Sequence, residues 1–202
     1  MAQTTYLDDV YDIAERDGLE TLYAKWAGSY DDELTENGYI TPARVARAMA
    51  ATGCKGPVLD IGCGTGLSGA ALRAAGFAQI DGADISAPML EEARKKGLYR
   101  DLLVTDPDAP LPVTPGDYPT IAAIGVVTTG AAPAEFLEDL AAALAPGGHL
   151  AFSFNDHALE DESYSAALDR LLASDFTLVF REYGPHFHQR DMGSAVYVIE
   201  KM

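Results

Sequence analysis

The sequence predicts an α/β protein: a doubly wound, seven-stranded sheet, mostly parallel, with helices on both faces and an antiparallel C-terminal hairpin. Three observations predict it. From residue 57 onward, short apolar runs alternate with stretches of helical spacing, the pattern of a parallel sheet covered on both sides. The first of these runs, Val58-Leu59-Asp60-Ile61, passes directly into the glycine turn Gly62-Cys63-Gly64-Thr65-Gly66. The last two runs are joined only by a loop, so they pair as an antiparallel hairpin at the sheet edge.

Residues 7 to 28 place apolar groups at Leu7, Val10, Tyr11 and Ala14, then at Leu19, Leu22, Tyr23 and Trp26. This is helical spacing broken near Asp17-Gly18, so two short helices are expected before any strand. Thr41-Pro42 has the form of an N-cap followed by Pro at the first helical position, opening a helix that closes at Gly53. The run 57–61 is short, apolar and bounded by glycine, as a buried parallel strand is. Helix 67–75, strand 78–83, helix 87–95 and a strand at 102–104 follow. Strand 120–127, helix 133–144, strand 149–154 and helix 160–173 continue the alternation, and strands 176–183 and 195–201 complete it. The Pro-rich segment 107–119 is a loop. Residues 1–55 are expected to form a helical lid and residues 56–202 the core, one domain overall.

Composition excludes several classes. Of 202 residues, 48% are hydrophobic and 22% charged, an ordinary globular balance. No stretch approaches the roughly 20 apolar residues of a membrane span. The first residues carry neither the basic start nor the apolar run of a signal peptide, so a cytoplasmic protein is expected. Asp and Glu number 31 against 14 Lys and Arg, a net charge of -17 that repels nucleic-acid phosphates and anionic lipid. Neither nucleic acid nor membrane is therefore expected as a partner. Ten carboxylates fall within residues 1–40, either a solvated acidic face or an entrance that attracts cations. Cys54 and Cys63 stand alone and fit neither a zinc site nor a disulfide framework.

VLDIGCGTG, residues 58–66, is the sharpest feature. In an open parallel sheet the ligand crevice lies at the carboxyl ends of the strands, where glycines let the backbone approach a ligand closely. Gly64 through Gly69 also match G-x-G-x-x-G, with the acidic Asp84 20 residues beyond Gly64. That match leaves a nicotinamide-dependent oxidoreductase as one reading. Against it, the strand already ends at Ile61, and Asp60 one residue earlier would repel a pyrophosphate but favour an ammonium or sulfonium ligand.

VLDIGCGTG resembles the first motif of the class I S-adenosylmethionine-dependent methyltransferases, whose sheet is Rossmann-like. The resemblance extends over residues 23–202 and implies S-adenosylmethionine as cofactor and S-adenosylhomocysteine as product. It implies that Asp60, Gly62, Cys63 and Gly64 form the glycine-loop part of the site, and that Asp84 in GADIS binds the ribose hydroxyls. Ile85 and Met89 match positions on either side of the adenine, and Thr105-Asp106 the position that meets its amino group. Gly125 matches the cofactor floor. Trp26 and Tyr30, in KWAGSYD, match aromatic residues over the methionine end. Within the superfamily the segments KWAGSYD, GLYRDL and GVVTTGAAP are most similar to the Williams-Beuren syndrome region methyltransferase-like proteins.

Methyl transfer from a sulfonium is an in-line displacement that gains most from positioning and water exclusion. A base is needed only for a nucleophile that arrives protonated. Candidates are Tyr30, His157 after the fifth strand, and His186 and His188 between the last two strands. His186-x-His188 supplies two metal ligands without a third, so no metal is expected. The expected activity is methyl transfer to N, O or C of a small molecule, by a monomer or homodimer. A protein that binds S-adenosylmethionine without transferring its methyl is the other reading.

Overall fold

The computed structural model describes Tyr6 and residues 16–202. The first of the two helices expected over residues 7–28 lies outside the described residues. The second is α1 (Arg16–Trp26), followed by α2 (Tyr30–Glu36) and α3 (Thr41–Ala51). The core then alternates through β1 (Val58–Ile61), α4 (Leu67–Ala74), β2 (Ile80–Asp84), α5 (Ala87–Lys96) and β3 (Leu102–Val104). It continues with β4 (Thr120–Ala123), α6 (Phe136–Ala142), β5 (His149–Asn155), α7 (Asp156–Glu160), α8 (Glu162–Ala173), β6 (Phe176–Pro185) and β7 (Gly193–Lys201). Among the described residues no helix is long and apolar enough to cross a membrane.

The seven strands run in the order β3-β2-β1-β4-β5-β7-β6. The first five are parallel; β7 pairs antiparallel with β6, as the loop-only connection predicted, and also antiparallel with β5. From β1 the chain winds out to β3 and then returns to the other side of β1 as β4. The two halves therefore diverge at the carboxyl ends of β1 and β4, where such sheets open a crevice.

Every residue of β1 is buried, and its alternate side chains enter different cores. Leu59 and Ile61 join Ile121, Leu150, Phe152 and Phe154 under α6 and α8, whereas Val58 joins Ile80, Ala122, Val196 and Val198 under α3 and α4. Two covered faces explain why β1 is apolar on both sides apart from Asp60. Phe152 and Tyr197, paired across β5 and β7, stack with centroids 5.1 Å apart. A third cluster holds Leu22, Trp26 and Leu34 of α1 and α2 against Met89 and Phe187.

Three local expectations are corrected. Strand β4 stops at Ala123 rather than reaching 127, because Gly125 turns the chain with φ of 72°. The helix expected over 160–173 is α8, and a short helix not expected, α7, precedes it: Asn155 caps α7 by accepting from Ala158 N–H, and Asp161 ends it and caps α8 by accepting from Ser163 N–H. Thr41 is not an N-cap. Ile40 holds that position without a side-chain cap, and the Thr41 hydroxyl meets His186 Nδ1 and Ser194 Oγ, each at 2.9 Å.

Arg44 explains why α3 sits so firmly on the hairpin. It is buried and donates to Ser194 O at 3.0 Å, Ser194 Oγ at 2.8 Å, Pro185 O at 3.0 Å and Glu182 O at 3.0 Å. Its charge is met by the Glu182 carboxylate at 3.3 Å. A buried guanidinium supplied with this many acceptors fixes geometry, and those hydrogen bonds offset the cost of taking its charge out of water. Helix α3 thus belongs to the layers around the sheet, while α1 and α2 pack together over the crevice.

Candidate active site

A cavity of about 770 Å³ opens at the carboxyl ends of β1, β2 and β4. Its floor is the turn Ile61-Gly62-Cys63-Gly64, with Asp84 and Ile85 on one side, Thr105 and Asp106 beyond them, and Gly125 and Val126 opposite. Tyr30 and Tyr39 close it from the lid side and Met89 from α5. The structure thus brings Tyr30, Gly62, Cys63, Gly64, Asp84, Ile85, Met89, Thr105, Asp106 and Gly125 to one cavity.

Gly64 is needed in two ways. Its φ of 54° is costly for a residue with a Cβ, and a Cβ there would project into open space with no protein atom within 4 Å. Its N–H donates to Asp84 Oδ2 at 2.8 Å, while Ser86 N–H donates to Asp84 Oδ1 at 2.8 Å. Two backbone amides therefore hold the carboxylate at the end of β2. A carboxylate offers about four acceptor positions, so each oxygen keeps one for a ligand hydroxyl. Burial raises the pKa of Asp84, against the lowering effect of those amides. Ile85, 38% exposed despite its apolar side chain, offers a flat apolar wall beside it.

Asp60 corrects an expectation. Rather than facing the crevice, it is fully buried behind the glycine loop and is absent from the cavity wall. Ser68 Oγ donates to its Oδ2 at 2.6 Å and Tyr99 OH donates to the same oxygen at 2.7 Å. Among the described residues Oδ1 has no partner. Burial, with a smaller push from the Asp84 charge, moves its carboxyl up to about 7, although the two hydroxyl donors act in the opposite sense. Burial likewise raises the Cys63 thiol, which is no thiolate nucleophile.

Tyr99 is the residue sequence reasoning missed. Besides donating to Asp60, its hydroxyl accepts Gly69 N–H at 3.0 Å, and its ring lies where a Cβ on Gly69 would come within 2.4 Å. Gly69 therefore makes room for a tyrosine, which accounts for the third glycine of the G-x-G-x-x-G match by packing. The Asp31 carboxylate was also missed. It accepts from Thr65 Oγ1 at 2.5 Å and pairs with Lys96 Nζ, tying α2 to the glycine loop and to α5.

The aromatic pair of the lid divides. Tyr30 reaches the cavity, but Trp26 is 2% exposed and off the main wall; its Nε1–H donates to Glu33 Oε2 at 2.9 Å. Its ring supports Tyr30 edge-on at 4.6 Å. The histidines divide as well. His157 and His188 line neither this cavity nor the smaller one beside it. His186 is buried, and burial drives its pKa down to about 4, so it stays neutral and is too weak a base near pH 7. Among the described residues no group of three or more His, Cys, Asp or Glu is placed to hold a metal ion.

The family described as "Methyltransferase domain" matches residues 58–148, from the start of β1 to the turn before β5. Residues 58–148 thus carry a methyltransferase domain. The chain is 35% identical over 159 residues to the human "Methyltransferase-like protein 27", covering 74% of this chain and 64% of the relative. Over 70 residues it is 41% identical to the bovine "18S rRNA (guanine-N(7))-methyltransferase", covering 35% of this chain and 25% of that protein. The chain thus spans less than two thirds of either relative. In fold, the methyltransferase domain is similar to the magnesium protoporphyrin IX methyltransferase of Synechocystis PCC 6803 with bound S-adenosylhomocysteine. The TM-score is 0.64 at 17% identity, over 91% of this chain and all of the other, at 100%. The domain's cavity fits that cofactor by its own chemistry: an open cradle at Gly64, hydroxyl-accepting capacity on Asp84, and the apolar walls of Ile85 and Met89.

Proposed function

We propose that this chain moves a methyl group from S-adenosylmethionine to an N, O or C nucleophile of a small molecule, in the cytoplasm. The acidity of the cavity carries the small-molecule reading. Its walls include Asp106, Asp108, Glu135 and Asp139, on a chain of net charge -17. A polyanion approaching that mouth meets repulsion at every step, whereas a neutral or cationic molecule does not. The bovine relative named for rRNA keeps an RNA acceptor as the second reading, although that similarity covers 35% of this chain.

Bound S-adenosylmethionine supplies a methyl group on a sulfonium: the nucleophile's lone pair forms the new bond to carbon as the carbon–sulfur bond breaks, leaving S-adenosylhomocysteine. The chain's own part is positioning. Asp84 and the Gly64 amide set one end of the site, and Ile85 and Met89 form apolar walls. Helices α1 and α2 act as the lid, anchored through Asp31 to the glycine loop, and hold Tyr30 over the cavity where it excludes water. Tyr30 alone of the four candidate bases lies on this wall; as a neutral phenol it can hydrogen-bond to the nucleophile and orient it, and it would take up a proton only as the phenolate.

The test is the fate of methyl-labelled S-adenosylmethionine incubated with the protein and, separately, a small-molecule cell extract and total RNA. Label is expected in the low-mass fraction with S-adenosylhomocysteine formed in step. Label in RNA overturns the acceptor class. Cofactor binding without transfer to either supports the non-catalytic reading instead.

A further inference from the structure

Behind Tyr30, Tyr39 and Gly125, which also border the main cavity, lies a second cavity of about 50 Å³. Its polar walls come from Thr128, Ser153, Asn155 and His186. Among the described residues no charged side chain lines it, so an ion entering would lose its hydration without a counter-charge on its wall. The volume suits the end of a molecule whose body occupies the main cavity.

The hydrogen-bond chain behind it determines what His186 presents. Arg44 Nη1–H can only donate, and it does so to Ser194 Oγ at 2.8 Å. Ser194 is fully buried, and among the described residues the one acceptor within reach of its own proton is Thr41 Oγ1 at 2.9 Å. Thr41, equally buried, must then give its proton to His186 Nδ1, 2.9 Å away. With Nδ1 accepting, a neutral imidazole carries its proton on Nε2, which has no protein partner among the described residues. Tyr39 and Phe187 pack the ring, with centroids 5.0 and 4.6 Å away. The tautomer is therefore fixed, and the ring that carries the donor lines the cavity.

We infer that this small cavity is a specificity subsite for an uncharged oxygen of the methyl acceptor, a hydroxyl or carbonyl, which accepts a hydrogen bond from His186 Nε2–H. The inference rests on the methyl-transfer reading above. A neutral donor in a charge-free cavity selects an oxygen with a lone pair and rejects both carboxylate and ammonium groups. His186 acts by orienting the acceptor, not by taking its proton.

Nitrogen-15 spectra of the histidine-labelled full chain, saturated with S-adenosylhomocysteine at pH 7, test this directly. His186 is expected to show a protonated Nε2 and an unprotonated Nδ1. Phenol is expected to shift Nε2 saturably, while benzylamine and benzoate at the same concentrations leave it in place. His186→Phe should weaken phenol binding about three- to tenfold, the worth of one neutral hydrogen bond, with S-adenosylhomocysteine affinity kept within about twofold. The Nδ1-protonated tautomer, an imidazolium, equal shifts from the charged probes, or no shift from phenol overturns the subsite. Failure of S-adenosylhomocysteine to bind at all overturns the methyl-transfer reading itself, so the two failures are distinguishable.

Discussion

Replacing Asp84 by alanine is expected to weaken S-adenosylmethionine binding about 10- to 100-fold while leaving the chain folded. Each carboxylate oxygen already accepts one backbone N–H, from Ser86 and Gly64, and each has one acceptor position left for a ribose hydroxyl. Charge-assisted hydrogen bonds of this kind contribute about 1.5 to 3 kcal/mol, which sets the scale. The substitution also releases the Gly64 amide, so the glycine cradle loses its brace along with its acceptor. Folding should survive, because burial raises this carboxyl's pKa and its ionised form therefore adds no stability at neutral pH. Calorimetric titration of wild type and variant measures the effect. Unchanged affinity in a folded Asp84→Ala protein would contradict the ribose assignment.

Asp60 should make the cofactor-free protein less stable as pH rises, the reverse of the usual carboxylate. Its carboxyl is raised from 3.8 to about 7, so between those values the folded chain keeps a proton that the unfolded chain has released. Each step up in pH then favours unfolding. The contribution amounts to roughly 4 kcal/mol, lost between about pH 4 and pH 7 and constant above. Asp81 works in the opposite sense. Burial pushes it up, but hydrogen bonds from Arg100 and Tyr118 and the Arg100 charge prevail, so its pKa is lowered and its stabilisation is lost only as pH falls below the ordinary carboxylate range. Asp60→Asn mimics the protonated side chain: its carbonyl can accept from Ser68 and Tyr99, and it cannot ionise. Denaturant midpoints at pH 5 and pH 7 should therefore show the variant gaining on wild type by about 2 kcal/mol toward pH 7. Parallel curves for the two proteins would mean that Asp60 does not titrate in this range.

Much of this site was legible where chemistry and local sequence coincide. The glycine turn after Val58–Ile61 and the acidic end of β2 are local features, and both stand where the alternating pattern put them. What escaped depends on residues brought together from far along the chain. Asp60 reads as a crevice carboxylate until Tyr99 arrives from the α5–β3 loop to claim it. Thr41 reads as a helix cap until His186 and Ser194, about 150 residues away, take its hydroxyl. Asp31 reads as one more carboxylate in an acidic run, and only the fold shows it latched to Thr65. The early end of β4 is different, because a glycine at 125 was visible, but its left-handed turn competes with an apolar run that spells strand.

The central claim is that the cavity between β1, β2 and β4 is an S-adenosylmethionine site rather than a dinucleotide site. Titrating the purified chain by calorimetry with S-adenosylmethionine, S-adenosylhomocysteine and NADH, side by side, tests it most directly. Micromolar binding of the first two with no heat from NADH is the expected result. Binding of NADH alone would return the glycine turn to the nicotinamide reading and contradict the account built on Asp84 and Gly64.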